Sequence, residues 1–261
     1  MLVERTKCPM CTSSRFRILF SMHYHDKEMK QYLKNYYSEN IDPYLKELEK
    51  FDYLIYECLK CSLIFQKFIP DEKFSRILYE EIIDEVESKI KKEKVVNPGY
   101  YKDFEFLKKI TGKENADISI LEFGSGNGDW AYEAKKLNFD VTTTELSKNR
   151  IESLNKKGLK ICNDIHECKD KFDIFYSDQV FEHISNPAEI LKTILPLLKE
   201  YGYIYLKFPS GFMFRNILKM NYQPQKDCAM PLEHINILNR KTFLYLVKDL
   251  NLKIAYNNRH N

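Results

Sequence analysis

The sequence predicts an α/β fold, a Rossmann-like parallel sheet preceded by a small four-cysteine module. Three observations carry this. The stretch Ile118–Glu145 reads ISILEFGSGNGDWAYEAKKLNFDVTTTE, which is strand, glycine turn, helix, strand and terminal acid. Further apolar, β-branched runs then alternate with helix-period segments. Ahead of them stand two Cys-x-x-Cys pairs, Cys8/Cys11 and Cys58/Cys61.

In the central stretch, Ile118–Phe123 has the length and composition of a buried strand. Gly124, Gly126 and Gly128 follow at alternate positions. Glycine lets the backbone turn sharply and approach a ligand with no Cβ in the way. A helical pattern over Trp130–Leu137 then offers free N–H groups and a positive dipole end to an anionic group. The next strand, Val141–Thr144, ends at Glu145, a carboxylate suited to accept hydrogen bonds from the two hydroxyls of a ribose. A dinucleotide site wants a third glycine where Asp129 stands, and the Gly-Lys-Ser/Thr of a phosphate loop is absent.

Composition narrows the function classes. At 261 residues the chain has room for one ordinary domain and a small module. The net charge of +3 comes from 41 basic and 38 acidic side chains that are interspersed, which counts against a dedicated nucleic-acid binder. The opening MLVERTK lacks the apolar core of a signal peptide, and no apolar run approaches the length of a membrane span. Seven cysteines, four in two knuckles, suit a reducing cytoplasm and metal binding better than a disulfide framework.

The two knuckles are separated by 46 residues, more than in the usual zinc ribbon. Residues from about Asp26 to Lys50 are charged, tyrosine-rich and helix-compatible, and read as an insertion between strands at Phe16–Phe20 and Tyr53–Tyr56. Cys8, Cys11, Cys58 and Cys61 are therefore expected to hold one structural zinc, with a redox dithiol as the alternative. Asp71 to about Lys94 reads as a helix, Asn97-Pro98-Gly99 as a break, and Tyr100–Ile110 as a second helix. Lys148–Lys156 is expected to be a helix stopped by Gly158, and Leu159–Cys162 and Phe172–Tyr176 to be strands. Ala188–Leu198 reads as helix, Tyr203–Phe208 as strand, and Arg240–Leu250 as a last helix before a strand at Lys253–Tyr256. The segment between Ser210 and His234 lacks periodicity and is rich in Phe and Met, the composition of a lid or binding loop.

Glu122 before Gly-x-Gly-x-Gly resembles the first motif of the class I S-adenosylmethionine-dependent methyltransferases. Cys61-Ser-Leu-Ile-Phe, with Ser62 in place of the usual glycine, resembles the front of a group of bacterial methyltransferases that carry an N-terminal zinc module and act in sugar, capsule and natural-product pathways. Phe181-Glu-His183 followed by Pro187 resembles their "LEH-x-x-x-P" passage, and His234-Ile-Asn236 their "H-x-N-x-x-S" passage. The resemblance implies a zinc module over residues 1–70, a helical linker or cofactor cover over 71–115, and a methyltransferase domain over 116–261 in which the usual last strand is missing or formed otherwise.

It also implies a cofactor site of Glu122, Gly124, Ser125, Gly126, Gly128, Glu145, Leu146, Asp164, Ile165 and Asp178, with Asp164 facing the adenine amino group. Read without the resemblance, Asp164 is an Asx turn or a helix cap. His183, His234 and Glu182 become acid–base candidates, or else residues that cap a helix and tie down a loop. The acceptor implied is a small molecule, a sugar or capsule precursor and nucleotide-linked. An RNA methyltransferase and a non-catalytic binding module are the alternatives.

Overall fold

The computed structural model describes residues 1–83, 99–166 and 168–255. These form two compact units, one from residues 1–83, 182–188 and 208–254, the other from 99–166, 168–181, 189–207 and 255. The units are not consecutive segments, because the chain after residue 207 builds onto the N-terminal sheet.

The second unit holds the five-stranded sheet. Its strands are β6 (Ser119–Phe123), β7 (Asp140–Thr144), β8 (Lys160–Ile161), β9 (Phe172–Asp178) and β10 (Leu198–Lys207). They lie in the order β10-β9-β6-β7-β8, and every pair is parallel. The order reverses between β6 and β9, so the switch point of the sheet lies at their carboxyl ends, where such sheets bind ligands. Helices α4 (Gly99–Thr111), α5 (Asp129–Lys136) and α6 (Lys148–Lys156) belong to this unit. β9 is buried along almost its whole length, as a central parallel strand should be. Ile120, Val141 and Ile174 from the strands pack with Phe104 and Leu107 of α4 and Trp130 of α5. Helix α7 (Pro187–Ile194) then leads through a 3-10 turn, Leu195–Leu197, into β10.

The first unit contains a four-stranded antiparallel sheet, β11-β4-β3-β2. Its members are β2 (Phe16–His23), β3 (Asp52–Cys58), β4 (Ile64–Gln66) and β11 (Asn236–Ile237). The short strands β1 (Leu2–Glu4) and β5 (Phe68–Pro70) pair separately. Between β2 and β3 the expected insertion is helical, as α1 (Lys27–Tyr37) and α2 (Asp42–Leu48). Met29, Leu33 and Tyr37 of α1 are fully buried against Tyr53, Ile55 and Ile64 of the sheet. Side-chain caps open two of these helices among the described residues: Asp71 accepts from Phe74 N–H ahead of α3 (Glu72–Ile77), and Asn239 from Lys241 and Thr242 N–H ahead of α9 (Arg240–Asp249).

Several expectations need correction. The helix from Asp71 is α-helical only to Ile77 and continues as a π-turn, Leu78–Ile83; its remainder and the Asn97-Pro98 break lie outside the described residues. β10 starts at Leu198 rather than Tyr203, because Lys199–Gly202 form an irregularity within the strand, with Tyr201 at φ 61°. The Phe/Met-rich segment contains a short helix, α8 (Phe214–Leu218). Lys253–Ala255 form no strand, and Tyr256 lies outside the described residues. Among the described residues no antiparallel strand joins the parallel sheet; the late strand β11 goes to the other sheet.

Candidate active site

The glycine turn joins β6 to α5. Thr144 O, at the end of β7, accepts hydrogen bonds from Gly124 N (3.1 Å) and Ser125 N (3.0 Å), which fixes the start of the turn against the neighbouring strand. Gly126 sits at φ 56°, and a Cβ there would meet no atom within 4 Å, so its outer face is open. Cβ atoms at Gly124 and Gly128 would instead run into Val180 and Leu154.

Two carboxylates flank this turn. Glu145 Oε2 accepts from Gly126 N–H at 2.8 Å, and its Oε1 from Leu146 N–H (2.8 Å) and Ser147 N–H (3.1 Å). Glu122 is 5% exposed, and its Oε2 has no hydrogen-bond partner among the described residues. Burial raises its pKa well above the ordinary carboxylate range, and the charges of Asp178, Asp129 and Glu145 add to the effect. A buried, unpartnered carboxyl oxygen and an open glycine face beside a polar turn suit a ligand that brings its own donors.

Asp178, at the tip of β9, belongs to a larger network. Lys207 Nζ lies 2.7 Å from Asp178 and 3.0 Å from buried Asp103 on α4. Asp103 also accepts from the hydroxyls of Tyr176 and Tyr205, each at 3.0 Å. Tyr176 stacks on Trp130 with ring centroids 3.9 Å apart and planes 11° from parallel. The charges of Glu122, Asp129 and Asp178 reach Tyr100, whose pKa rises through burial first and those carboxylates second. Asp164 is exposed and accepts from His166 N–H at 2.9 Å, the Asx-turn geometry, while Ile165 beside it is buried. Leu146 is 89% exposed.

In the first unit the four cysteines converge, with all four sulfurs within 4.8 Å of one another. Cys8 Sγ lies 3.5 Å from Cys61 Sγ, and Cys11 Sγ 3.4 Å from Cys58 Sγ. A tetrahedral zinc with about 2.3 Å bonds needs sulfurs about 3.8 Å apart, so the cluster fits that ion. The knuckles repeat each other in backbone bonding. Cys8 N–H donates to Ser13 O and Cys58 N–H to Leu63 O, both at 2.8 Å; Thr12 N–H donates to Cys8 O and Ser62 N–H to Cys58 O, at 2.9 and 3.0 Å. Each turn closes on a left-handed residue, Thr12 (φ 57°) or Ser62 (φ 62°).

Glu182, His183 and His234 also converge in this unit, with one side-chain polar atom of each within 4.8 Å of the others. His234 Nδ1 lies 2.5 Å from Asp227 O; a carbonyl only accepts, so Nδ1 carries a proton and the lone pair of the neutral ring is on Nε2. His183 Nδ1 contacts Glu233 O (3.0 Å) and the Tyr79 hydroxyl (2.9 Å), which by the same reasoning leaves Nε2 as the basic nitrogen. His183 Nε2 is 4.0 Å from Glu182 Oε1, and the two imidazole rings meet edge to face at 4.9 Å.

Residues 99–257 match the family described as a methyltransferase domain. The chain belongs to that methyltransferase family. Among solved structures, the methyltransferase shares its fold with magnesium protoporphyrin IX methyltransferase from Synechocystis PCC 6803 with bound SAH, at TM-score 0.54 and 12% identity over 71% of this chain and 91% of that one. Plantazolicin methyltransferase BpumL with SAH matches at TM-score 0.47 and 19% identity, covering 67% of this chain and 72% of that one. Coclaurine N-methyltransferase, bound to N-methylheliamine and SAH, matches at 0.44 and 18%, covering 61% and 51%. No curated protein matches. No helix among the described residues of the methyltransferase is long and apolar enough to cross a membrane.

The structure gathers Glu122, the glycine turn, Glu145 and Asp178 into the second unit, and Glu182, His183 and His234 into the first. Sequence reasoning missed Asp103, Trp130, Tyr176 and Lys207. Their only signal was their type, buried charge and ring beside a ligand turn, and the pairing partners are distant in sequence.

Proposed function

We propose that this enzyme transfers a methyl group from S-adenosylmethionine to a small-molecule acceptor, a sugar or capsule-type precursor, with the acceptor nucleotide-linked. The observation that carries the cofactor reading is the glycine turn with its open face at Gly126, bounded by the Glu145 carboxylate at the tip of β7 and the unpartnered Glu122 oxygen. When bound, S-adenosylmethionine supplies a methyl group already activated on sulfur. Glu145, held by its backbone partners, accepts from the ribose hydroxyls with its remaining lone pairs, and the polar turn from Ser125 to Gly128 receives the charged end of the amino acid. Asp178 acts on the same end, Leu146 and Ile165 supply apolar surface for the adenine, and Asp164 takes its amino group. The acceptor class rests on the resemblance in the N-terminal module and the Glu182-His183 passage.

His183 and His234 serve as proton acceptors for a hydroxyl or enol acceptor. In the neutral ring of each, the carbonyl that accepts from Nδ1–H leaves the lone pair on Nε2. Burial lowers the His234 pKa, which favours the neutral base at neutral pH. Glu182 stands beside the other base, its Oε1 4.0 Å from His183 Nε2. Zinc at the four cysteines has no open position, so it folds the module and takes no part in the chemistry.

Calorimetry with S-adenosylmethionine and its demethylated product tests the cofactor. The unmodified protein is expected to bind both and the Gly126→Val protein neither; no binding by the unmodified protein would sink the reading. A labelled-methyl screen against nucleotide sugars, capsule precursors and RNA then tests the acceptor, with labelled RNA alone overturning the small-molecule assignment.

A further inference from the structure

The segment carrying His234 is held in an unusual way. Residues 230–234 form a tight turn, His234 N–H donating to Met230 O at 3.0 Å, and within it Leu232 adopts φ 71°. A branched, buried residue in the left-handed region stores backbone strain, on the order of 1–3 kcal/mol, and persists only where its surroundings impose it. Gln66, fully buried at the end of β4, reaches every part of this turn. Its Nε2 donates to Met230 O (2.8 Å) and His234 O (3.0 Å), its Oε1 accepts from Leu232 N–H (3.4 Å), and its backbone N–H donates to Ile235 O (3.0 Å). Both sides of one amide thus hold the beginning, the strained middle and the end of the turn.

Arg5 does the corresponding work for the other histidine. Its Nη1 donates to Ile235 O and Asn236 Oδ1 and its Nη2 to Ser185 O, all at 3.0 Å, while Asn236 donates from Nδ2 to Ile184 O at 2.7 Å and from its backbone to Glu182 O at 3.0 Å. Residues 182–185, with His183, are so tied to residues 234–236. Arg5 lies three residues before Cys8, and Gln66 five residues after Cys61.

We infer that Gln66 is a positioning residue for His234, that Arg5 with Asn236 ties the His183 segment to it, and that the four-cysteine knuckles serve the reaction by holding β4, which ends on Gln66, and the segment just after β1 that carries Arg5. The inference rests on the proposed acid–base role of the two histidines. It assigns the N-terminal module to catalytic geometry rather than to gripping substrate. Buried amides of this kind are high-stakes groups, because removing one orphans several backbone partners at once.

The test uses the full chain with Gln66→Met, which keeps the length and apolar stem of the side chain and removes its amide. Cofactor affinity is expected to stay within about twofold, while kcat falls on the order of ten- to a hundredfold, as for a misplaced catalytic group. His234 faces Asp227 and Lys226 from its own loop and His183 and Glu182 from the 182–185 segment. A loosened turn admits water, so the His234 imidazole, followed by its C2 proton in NMR, should titrate at higher pH than in the unmodified protein. The acid limb of kcat should rise in parallel. An unchanged His234 titration together with an unchanged kcat would overturn the inference. His234→Ala, assayed alongside, separates the two readings: full activity there removes the base role, whereas the NMR titration still judges the positioning. Should Gln66→Met fail to fold, Gln66→Asn, one methylene shorter, should show the same shift at smaller size, and no shift would count against the inference.

Discussion

The Glu145 carboxylate accepts a hydrogen bond from Gly126 N–H at 2.8 Å, so the acid at the tip of β7 and the open glycine of the β6–α5 turn are already joined. The contact holds the carboxylate at the open side of the turn, to which the proposed function assigns the ribose, and Leu146 and Ser147 N–H fix its other oxygen. Glu145→Ala removes the acceptor for a diol and is expected to weaken S-adenosylmethionine binding by about 2–3 kcal/mol, the worth of hydrogen bonds to a charged group. Calorimetry reads this as roughly thirty- to a hundred-and-fiftyfold in Kd. Glu145→Gln should lose less, because one oxygen still accepts.

At the opposite end of the parallel sheet, Asp173 anchors the start of β9. It is 8% exposed and lies 2.6 Å from Lys113 Nζ and 2.9 Å from Lys199 Nζ, and it accepts from the backbone and hydroxyl of Ser119 at 2.9 Å. Burial pushes its pKa up, but the lysine and serine hydrogen bonds outweigh it and hold the group below the ordinary carboxylate range. With a folded pKa below the unfolded value of about 3.9, its contribution is present in full above pH ~4 and is lost as the pH falls further. Asp173→Asn should lower stability by about 2–3 kcal/mol at pH 7, less than for a fully buried pair because both lysines are partly exposed. Urea unfolding at pH 7 and pH 3 measures it, and the difference between the two proteins should shrink at the lower pH.

The parallel sheet was legible because its signals are local. Three glycines between two β-branched runs announce a ligand turn, and Glu145 follows within one βαβ unit. The four-cysteine cluster was legible for the same reason, each knuckle being a four-residue pattern. What escaped depends on partners far along the chain. Nothing around Gln66 signals that it will clamp residues 230–235, and Asp103 resembles any helix-surface acid until Tyr176 and Lys207 close on it. The strand expected at Lys253–Tyr256 does not form over Lys253–Ala255, and the strand at Asn236–Ile237, which joins β4, carries too short a pattern to be foreseen.

His234 predicts the acid side of the pH profile. Burial lowers its pKa below the ordinary histidine value of 6.5, against the opposing effect of the Asp227 carbonyl and charge. A base must be unprotonated to act, so a lowered pKa keeps it competent to more acidic pH. The acid limb of kcat should therefore bend below pH 6.5, and in His234→Ala whatever activity remains should lose that bend. A steady-state series between pH 5 and 8 with saturating cofactor decides it; a limb above about pH 7 would rule out His234 as the group responsible.

Ser62 gives a prediction of the opposite sign. It closes the second knuckle at φ 62°, in the left-handed conformation that glycine adopts without strain. A non-glycine residue there is strained by about 1 kcal/mol. Ser62→Gly removes that strain but enlarges the conformational freedom of the unfolded chain, which offsets part of the gain. The expected result is a small net stabilisation, about 0.5 kcal/mol, with zinc content unchanged near one ion per chain. Cys58→Ser in the same knuckle takes away a ligand, and metal analysis should show the zinc gone. A strong chelator applied to the unmodified chain should likewise release the zinc and lower the thermal midpoint, since binding of the ion and folding of its site are linked. If Ser62→Gly destabilises instead, its hydroxyl rather than its backbone is what the knuckle needs.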